Sequence, residues 1–218
     1  MATIADNLQA VRARIGAGSG VTLLAVSKGQ PAERIEEAVA AGQRAFGENY
    51  VQEAVQKMEA LPSLEWHLIG PLQSNKTRVA AERFDWVQTI ASEKIARRLS
   101  EQRPVHVPPL NVLIQVNVSG EASKRGVGLN ETEQLARAIA PLPRLRLRGL
   151  MAIPEPGAER SRFHAAKVLF ENLKSEFGFD TLSMGMSDDL ELALAEGATM
   201  VRIGTAIFGQ RTKQRTAA

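Results

Sequence analysis

Three groups of residues in this chain have the types and spacing to do chemistry together. The first is Lys28, which closes the apolar run Val21–Ser27. A run this rich in apolar and β-branched residues reads as a strand buried on both faces. Gly20 precedes it, and Gly29 and Pro31 end it, so the lysine emerges from a core at the strand's carboxyl tip. Low-dielectric surroundings destabilise an ammonium and lower its pKa. An amine tuned in that way forms a Schiff base with an aldehyde or ketone. The competing reading is an ordinary lysine with its ammonium in water.

The second group is Ser183–Asp189 together with Arg202–Ala206. Ser187 sits where it would cap a helix, or give its hydroxyl to an anion. Gly204 lets backbone approach a ligand closely, and the amides of Thr205 and Ala206 open the next segment. Asp188 and Asp189 oppose an anion unless they point away. Read structurally, the same residues are a helix cap and a packing glycine. The third group is Arg202 alone, inside the apolar strand Met200–Ile203. An unpaired arginine there is expensive. It is either half of a structural ion pair or a fixed cation facing a ligand. An amine, an anion cradle and a buried guanidinium together point to a phosphorylated aldehyde, and pyridoxal phosphate fits.

The elements that must position these groups alternate along the chain. Ile4, Leu8, Val11 and Ile15 predict a leading amphipathic helix. Strands are predicted at 21–26, 44–49, 65–70, 86–90, 110–118, 145–151, 181–184 and 199–203. Helices are expected between them, with Ser92 capping the one that carries Ile95 and Leu99. The spacings are too long for hairpins, so the sheet is parallel. Eight strand–helix units favour a single closed (β/α)₈ TIM-type barrel with an extra N-terminal helix. No linker or repeat divides the chain, so residues 1–218 read as one domain with a frayed tail from about 210. In such a barrel functional groups gather at the carboxyl ends of the strands. Those ends carry Lys28, Asn49, the His67–Gly70 turn, Thr89, Asn117, Met151, Ser183–Ser187 and Arg202 with Gly204.

Composition removes several classes of function. The chain has no cysteine, so thiolate chemistry and disulfides are excluded, and its three histidines lack metal-ligand spacing. A net charge of +3 from 27 basic and 24 acidic residues is too small and dispersed for nucleic-acid binding. Acidic and polar residues precede any apolar run at the N-terminus, and no run reaches the roughly 18 residues of a membrane span. The expectation is a cytoplasmic protein with no metal, nucleic-acid or membrane partner.

Several stretches carry a resemblance: Ala25–Lys28, Phe46–Tyr50, His67–Lys76, Gly149–Met151, Ser183–Asp189 and Val201–Gly209. Together they resemble the YggS/PROSC family of pyridoxal-phosphate homeostasis proteins, along nearly the whole chain. That family is similar in fold to the barrel domain of bacterial alanine racemases. The resemblance implies a Schiff base to pyridoxal 5′-phosphate on Lys28. It also implies phosphate contacts from Ser187, Gly204 and Thr205, Arg202 near the pyridine nitrogen, and Asn49 lining the same pocket. Lys124 resembles a family loop lysine that takes the cofactor transiently. Pro71 departs from many relatives. The implied role is a carrier or buffer of the cofactor for pyridoxal-phosphate-dependent apoenzymes, without dedicated turnover.

Two rivals use the same residues. An amino-acid racemase needs a second acid–base group besides Lys28. The only tyrosine is Tyr50, just past the second strand, and the chain ends soon after its last strand. Without a racemase's second domain the reason to dimerise is gone, and a monomer is expected. A Schiff-base aldolase would need a general acid, for which Glu48 and His67 are the candidates. His67 also reads as a satisfied strand-end histidine, and Met184 and Met186 as packing residues. Lys57, Lys94 and Lys167 fit exposed helix faces, and Lys76 fits either a helix start or the pocket.

Overall fold

A computed structural model of the chain describes residues 2–121, 125–155 and 157–210. Eight strands form a closed, all-parallel barrel in chain order, with β8 returning to pair with β1. The strands are β1 (Thr22–Val26), β2 (Ala45–Glu48), β3 (Glu65–Leu68), β4 (Trp86–Ile90), β5 (Leu110–Val116), β6 (Leu145–Ala152), β7 (Thr181–Ser183) and β8 (Met200–Ile203). Helices alternate with them: α1 (Ile4–Ile15), α2 (Ala32–Ala40), α3 (Val51–Ala60), α4 (Thr77–Arg83), α5 (Glu93–Gln102), α6 (Leu129–Ile139), α7 (Arg160–Phe177), α8 (Leu190–Ala195) and α9 (Thr205–Phe208). The expected barrel and leading helix are therefore present. The short α9 is an addition to the expected elements, since Gly204–Gly209 carries no full helical period.

Local chemistry accounts for the ends of these elements. Thr3 and Asp6 exchange hydrogen bonds in a capping box that starts α1. Ser92 accepts from the Ile95 amide and starts α5, as expected. Gly178 ends α7 in the left-handed conformation, at φ 67°. The main apolar core lies between the sheet and the helices, where Phe46, Trp66, Ile90, Leu99, Phe163 and Phe208 are buried.

The barrel interior is different. A small separate apolar group, Trp86, Leu113 and Met151, fills part of it. The polar side chains of His67, Gln88, Ser183 and Arg202 are buried as well, and they bond to one another. His67 stacks on Trp86 at 5.1 Å between ring centres. Arg148 is an extra residue in the β5–β6 ladder, because Val112 pairs with Leu147 while Leu113 pairs with Gly149. At this bulge Arg148 pairs with Asp180 and lies over the Trp86 ring.

Gly149 follows the bulge with φ 147°, and a Cβ there would stand 2.0 Å from the Thr181 carbonyl oxygen. The β6–β7 approach therefore requires glycine. Gly149→Ala is expected to lower stability by about 1–3 kcal/mol, the usual cost of a strained backbone position. Urea unfolding measures this, and an unchanged midpoint would show that β6 and β7 do not need to approach so closely.

Candidate functional site

The backbone around Lys28 is held from beneath. Lys57, on α3, donates to the Ser27 carbonyl at 2.8 Å, to Glu48 Oε1 at 2.7 Å and to Glu53 Oε1 at 2.7 Å. Glu53 in turn accepts the Gly29 amide at 2.5 Å, and the Ser27 hydroxyl donates to Glu48 at 2.6 Å. The peptide groups on both sides of Lys28 are thus fixed by one cluster wedged between the sheet and α3. Lys28 itself is half-buried and its side chain lines a cavity above.

Lys57 corrects the sequence expectation. It is not on an exposed face but 7% exposed, with Glu48 fully buried against it. The signal was present in the helix: Val51, Ala54, Lys57 and Met58 share the buried face of α3. Burial pushes the Glu48 carboxyl above its usual range, against the pull of the Lys57 ammonium. Among the described residues, the second carboxylate oxygen of Glu48 is buried without a hydrogen-bond partner. Lys94 is exposed as expected, while Lys167 is half-buried.

The cavity has a volume of about 340 Å³ and lies at the carboxyl end of the barrel. Lys28, Asn49, Ser187, Arg202, Gly204 and Thr205 all line it. Asn49 follows β2, and its backbone is pinned by Gly70, where a Cβ would stand 2.0 Å from the Asn49 carbonyl oxygen. Gly204 closes β8, and Thr205 opens α9. The first amides of a helix have no intrahelical acceptor, so those of Thr205 and Ala206 are left for another partner.

Ser187 does not cap α8. The residue before that helix is Asp189, whose carboxylate accepts the Met186 amide at 2.5 Å. The loop Met186–Asp189 closes on itself in this way, so the capping role falls to no serine. Of the two aspartates that argued against an anion, Asp189 is turned into this loop. Asp188 is exposed and lines the cavity.

Arg202 is 4% exposed. It donates to the Ser183 hydroxyl at 2.8 Å and to the Ala152 carbonyl at 2.9 Å. No carboxylate forms an ion pair with it among the described residues, so the structural-ion-pair reading fails. Burial lowers its pKa to about 10, and the guanidinium stays charged at neutral pH.

The other candidates lie elsewhere. Tyr50 is 63% exposed and neither packs in a core nor lines the cavity. Lys76 ends a short 3-10 turn, Ser74–Lys76, and is not among the lining residues. Thr89 gives its hydroxyl to the Gly70 carbonyl. Met184 is core, as expected, but Met186 lines the cavity. Lys124 lies outside the described residues. Ile69, from the expected His67–Gly70 turn, lines the cavity, and Gln30 and Ile153 do so without having been anticipated. They are loop residues, and only barrel closure brings them to one place.

A parallel barrel with a lysine at the tip of its first strand, facing the ends of its last two, defines a class. The family model described as "Alanine racemase, N-terminal domain" matches residues 1–212. Within that class the chain belongs to the family of pyridoxal phosphate homeostasis proteins. The protein so named in Escherichia coli K12 is 56% identical, over 97% of this chain and 98% of that one. The one in Pseudomonas aeruginosa is 58% identical, over 97% of each. Among solved structures, PipY of Synechococcus elongatus with PLP bound is 38% identical. It superposes with a TM-score of 0.86 over 95% of this chain and 100% of that one.

The Lys57 cluster yields a prediction. Lys57→Met leaves two carboxylates facing each other under Lys28, and breaking a buried pair in this way costs about 3–5 kcal/mol. Adding Glu48→Gln to the same protein removes the stranded charge and should restore part of the loss. Urea unfolding at pH 8 reads both. A Lys57→Met protein as stable as the parent would show that the cluster carries no net stabilisation.

Proposed function

We propose that the cavity holds pyridoxal 5′-phosphate and that the protein carries and buffers this cofactor rather than turning over a substrate. The observation that carries the reading is the donor set on one cavity: an amine, two hydroxyls beside a helix start, and a fixed guanidinium. The cavity volume is within the range of roughly 300–1,000 Å³ common to small-molecule sites. The relatives' name and the PLP bound to PipY support the same ligand.

Each residue then has a task. Lys28 would hold the aldehyde carbon as a Schiff base, its backbone kept in place by Lys57 and Glu53. Ser187 and Thr205 would give hydroxyl hydrogen bonds to the phosphate, and Gly204 would let the backbone of α9 come close. Asn49 would close the side of the ring. Arg202 would face the ring nitrogen. Bound pyridoxal phosphate supplies an electron sink, and its strength depends on protonation of that nitrogen. A permanent cation such as Arg202 opposes that protonation. This weakens the case for transamination in particular, and leaves racemisation open.

A different observation speaks against racemisation. That reaction needs acid–base groups on two faces of the substrate. Tyr50 is exposed and does not line the cavity. Glu48 is held by Lys57 and Ser27, and His67 by Glu65 and Gln88. Asp188 lines the cavity, but next to Ser187 at the end assigned to phosphate. The aldolase reading lacks its general acid for the same reasons. On this reading the chain acts as one domain and as a monomer in the cytoplasm, and passes the cofactor to pyridoxal-phosphate-dependent apoenzymes. No described helix is long and apolar enough to cross a membrane.

Titration of the purified protein with pyridoxal phosphate should give a saturable visible chromophore, which an aldolase would not. The loaded protein is then incubated with L-alanine or L-serine in deuterium oxide. General acid–base catalysis by a positioned group contributes about 10²–10⁴-fold. Without the second group, α-deuterium uptake should stay within a modest factor of free pyridoxal phosphate at equal concentration. Saturable formation of the D-isomer at roughly 1 s⁻¹ or faster would mark an ordinary enzyme and overturn the carrier reading.

A further inference from the structure

A row of polar side chains runs through the barrel from Arg202 to its opposite end. Arg202 bonds to Ser183 Oγ at 2.8 Å, and Ser183 Oγ to Gln88 Oε1 at 2.7 Å. Gln88 Nε2 meets His67 Nδ1 at 2.8 Å, and His67 Nε2 meets Glu65 Oε1 at 2.7 Å. The residues come from β8, β7, β4 and β3. Ser183, Gln88 and His67 have no exposure at all. Glu65 begins β3, and its side chain is 47% exposed at the amino end of the barrel.

The two charged ends dictate the direction of every bond between them. A guanidinium only donates and a carboxylate only accepts. Ser183 therefore accepts from Arg202 and spends its single proton on the Gln88 carbonyl. The amide of Gln88 then donates to His67 Nδ1, which must be bare. The imidazole proton sits on Nε2 and points at Glu65. Turning the Gln88 amide over would leave the Ser183 proton without an acceptor and set a bare imidazole nitrogen against a carboxylate. Starting from either end gives the same answer.

The neighbours hold this arrangement. Trp86 stacks on the His67 ring, Gln88 Nε2 also contacts the Met200 sulfur at 3.2 Å, and the Ala152 carbonyl takes another guanidinium nitrogen of Arg202. Burial keeps His67 neutral by lowering its pKa, although Glu65 and Asp85 pull the other way. Branched apolar side chains usually fill such a barrel, and a partly satisfied polar network is worse than an apolar one.

We propose that Glu65, His67 and Gln88 are positioning residues, forming a polarised relay that fixes the guanidinium of Arg202 where it lines the cavity. Aligned dipoles ending on a carboxylate stand in for the ion pair that Arg202 lacks. None of the three touches the cavity. The consequence for a bound cofactor rests on the function proposed above; the relay itself does not.

The test uses the full chain, labelled with ¹⁵N and free of cofactor. At pH 7 the His67 ring should show its proton on Nε2 and a bare Nδ1. Rotation of the Arg202 guanidinium about its Nε–Cζ bond should be slow in the unsubstituted protein. In Gln88→Met it should quicken roughly five-fold, the worth of one hydrogen bond. Glu65→Gln, at the exposed end, keeps an acceptor but loses the charge, and should quicken it less. If Gln88→Met does not fold, Glu65→Gln carries the test. A proton on Nδ1, or unchanged rotation in a folded variant, overturns the relay. Addition of pyridoxal phosphate to Gln88→Met should give weaker binding and a displaced absorption maximum. Unchanged binding and absorption, with the parent protein binding normally, would sever the relay from the site. A parent protein that shows no chromophore defeats the cofactor reading instead, and the rotation measurement still decides the relay.

Discussion

The site depends on keeping a positive charge inside the barrel with no carboxylate in ion-pair contact among the described residues. Arg202 is nearly inaccessible, yet it forms no ion pair among the described residues. Neutral partners compensate it, through a serine hydroxyl and a backbone carbonyl. A carboxylate in that position would have cancelled the field that Arg202 projects into the cavity. Oriented dipoles stabilise the charge and leave the field in place. Interior polar residues that would be wasteful in a merely structural barrel become necessary once this cation has to be held.

The second buried cation, Lys57, is handled in the opposite way. It lies outside the barrel wall, between β2 and α3, with carboxylates against it. There its charge is neutralised and only its geometry matters. It binds the carbonyl before Lys28, while its partner Glu53 binds the amide after it. One cation is held by neutral hydrogen-bond partners, and the other is paired with carboxylates and holds the backbone. Lys28 stands between the two, fixed from below and facing the cavity above.

Much of this was legible in the sequence, for physical reasons that also explain the gaps. Parallel strands buried on both faces give apolar runs, so all eight were visible, with ends displaced by a residue or two. Barrel geometry collects strand tips, so Lys28, Asn49, Ser187, Arg202, Gly204 and Thr205 were found on one cavity. Lys57 was misread because charge on a helix usually means solvent, and only its register with Met58 said otherwise. Of the two readings of Ser187, the cap fails because α8 begins at Leu190, two residues later than the expected start at Asp188. The bonds joining Gln88 to Ser183 and His67 were out of reach. They require three strands to be closed in register, and no local spacing encodes that.

The central claim is that the amine of Lys28 is the group presented to a phosphorylated aldehyde. The direct measurement is borohydride reduction of the protein with pyridoxal phosphate bound, followed by digestion and mass spectrometry of the labelled peptide. The account predicts one reduced cofactor per chain, carried by the peptide containing Lys28. Labelling chiefly at Lys76 or Lys124, or a chromophore that reduction fails to fix to the chain, would contradict it.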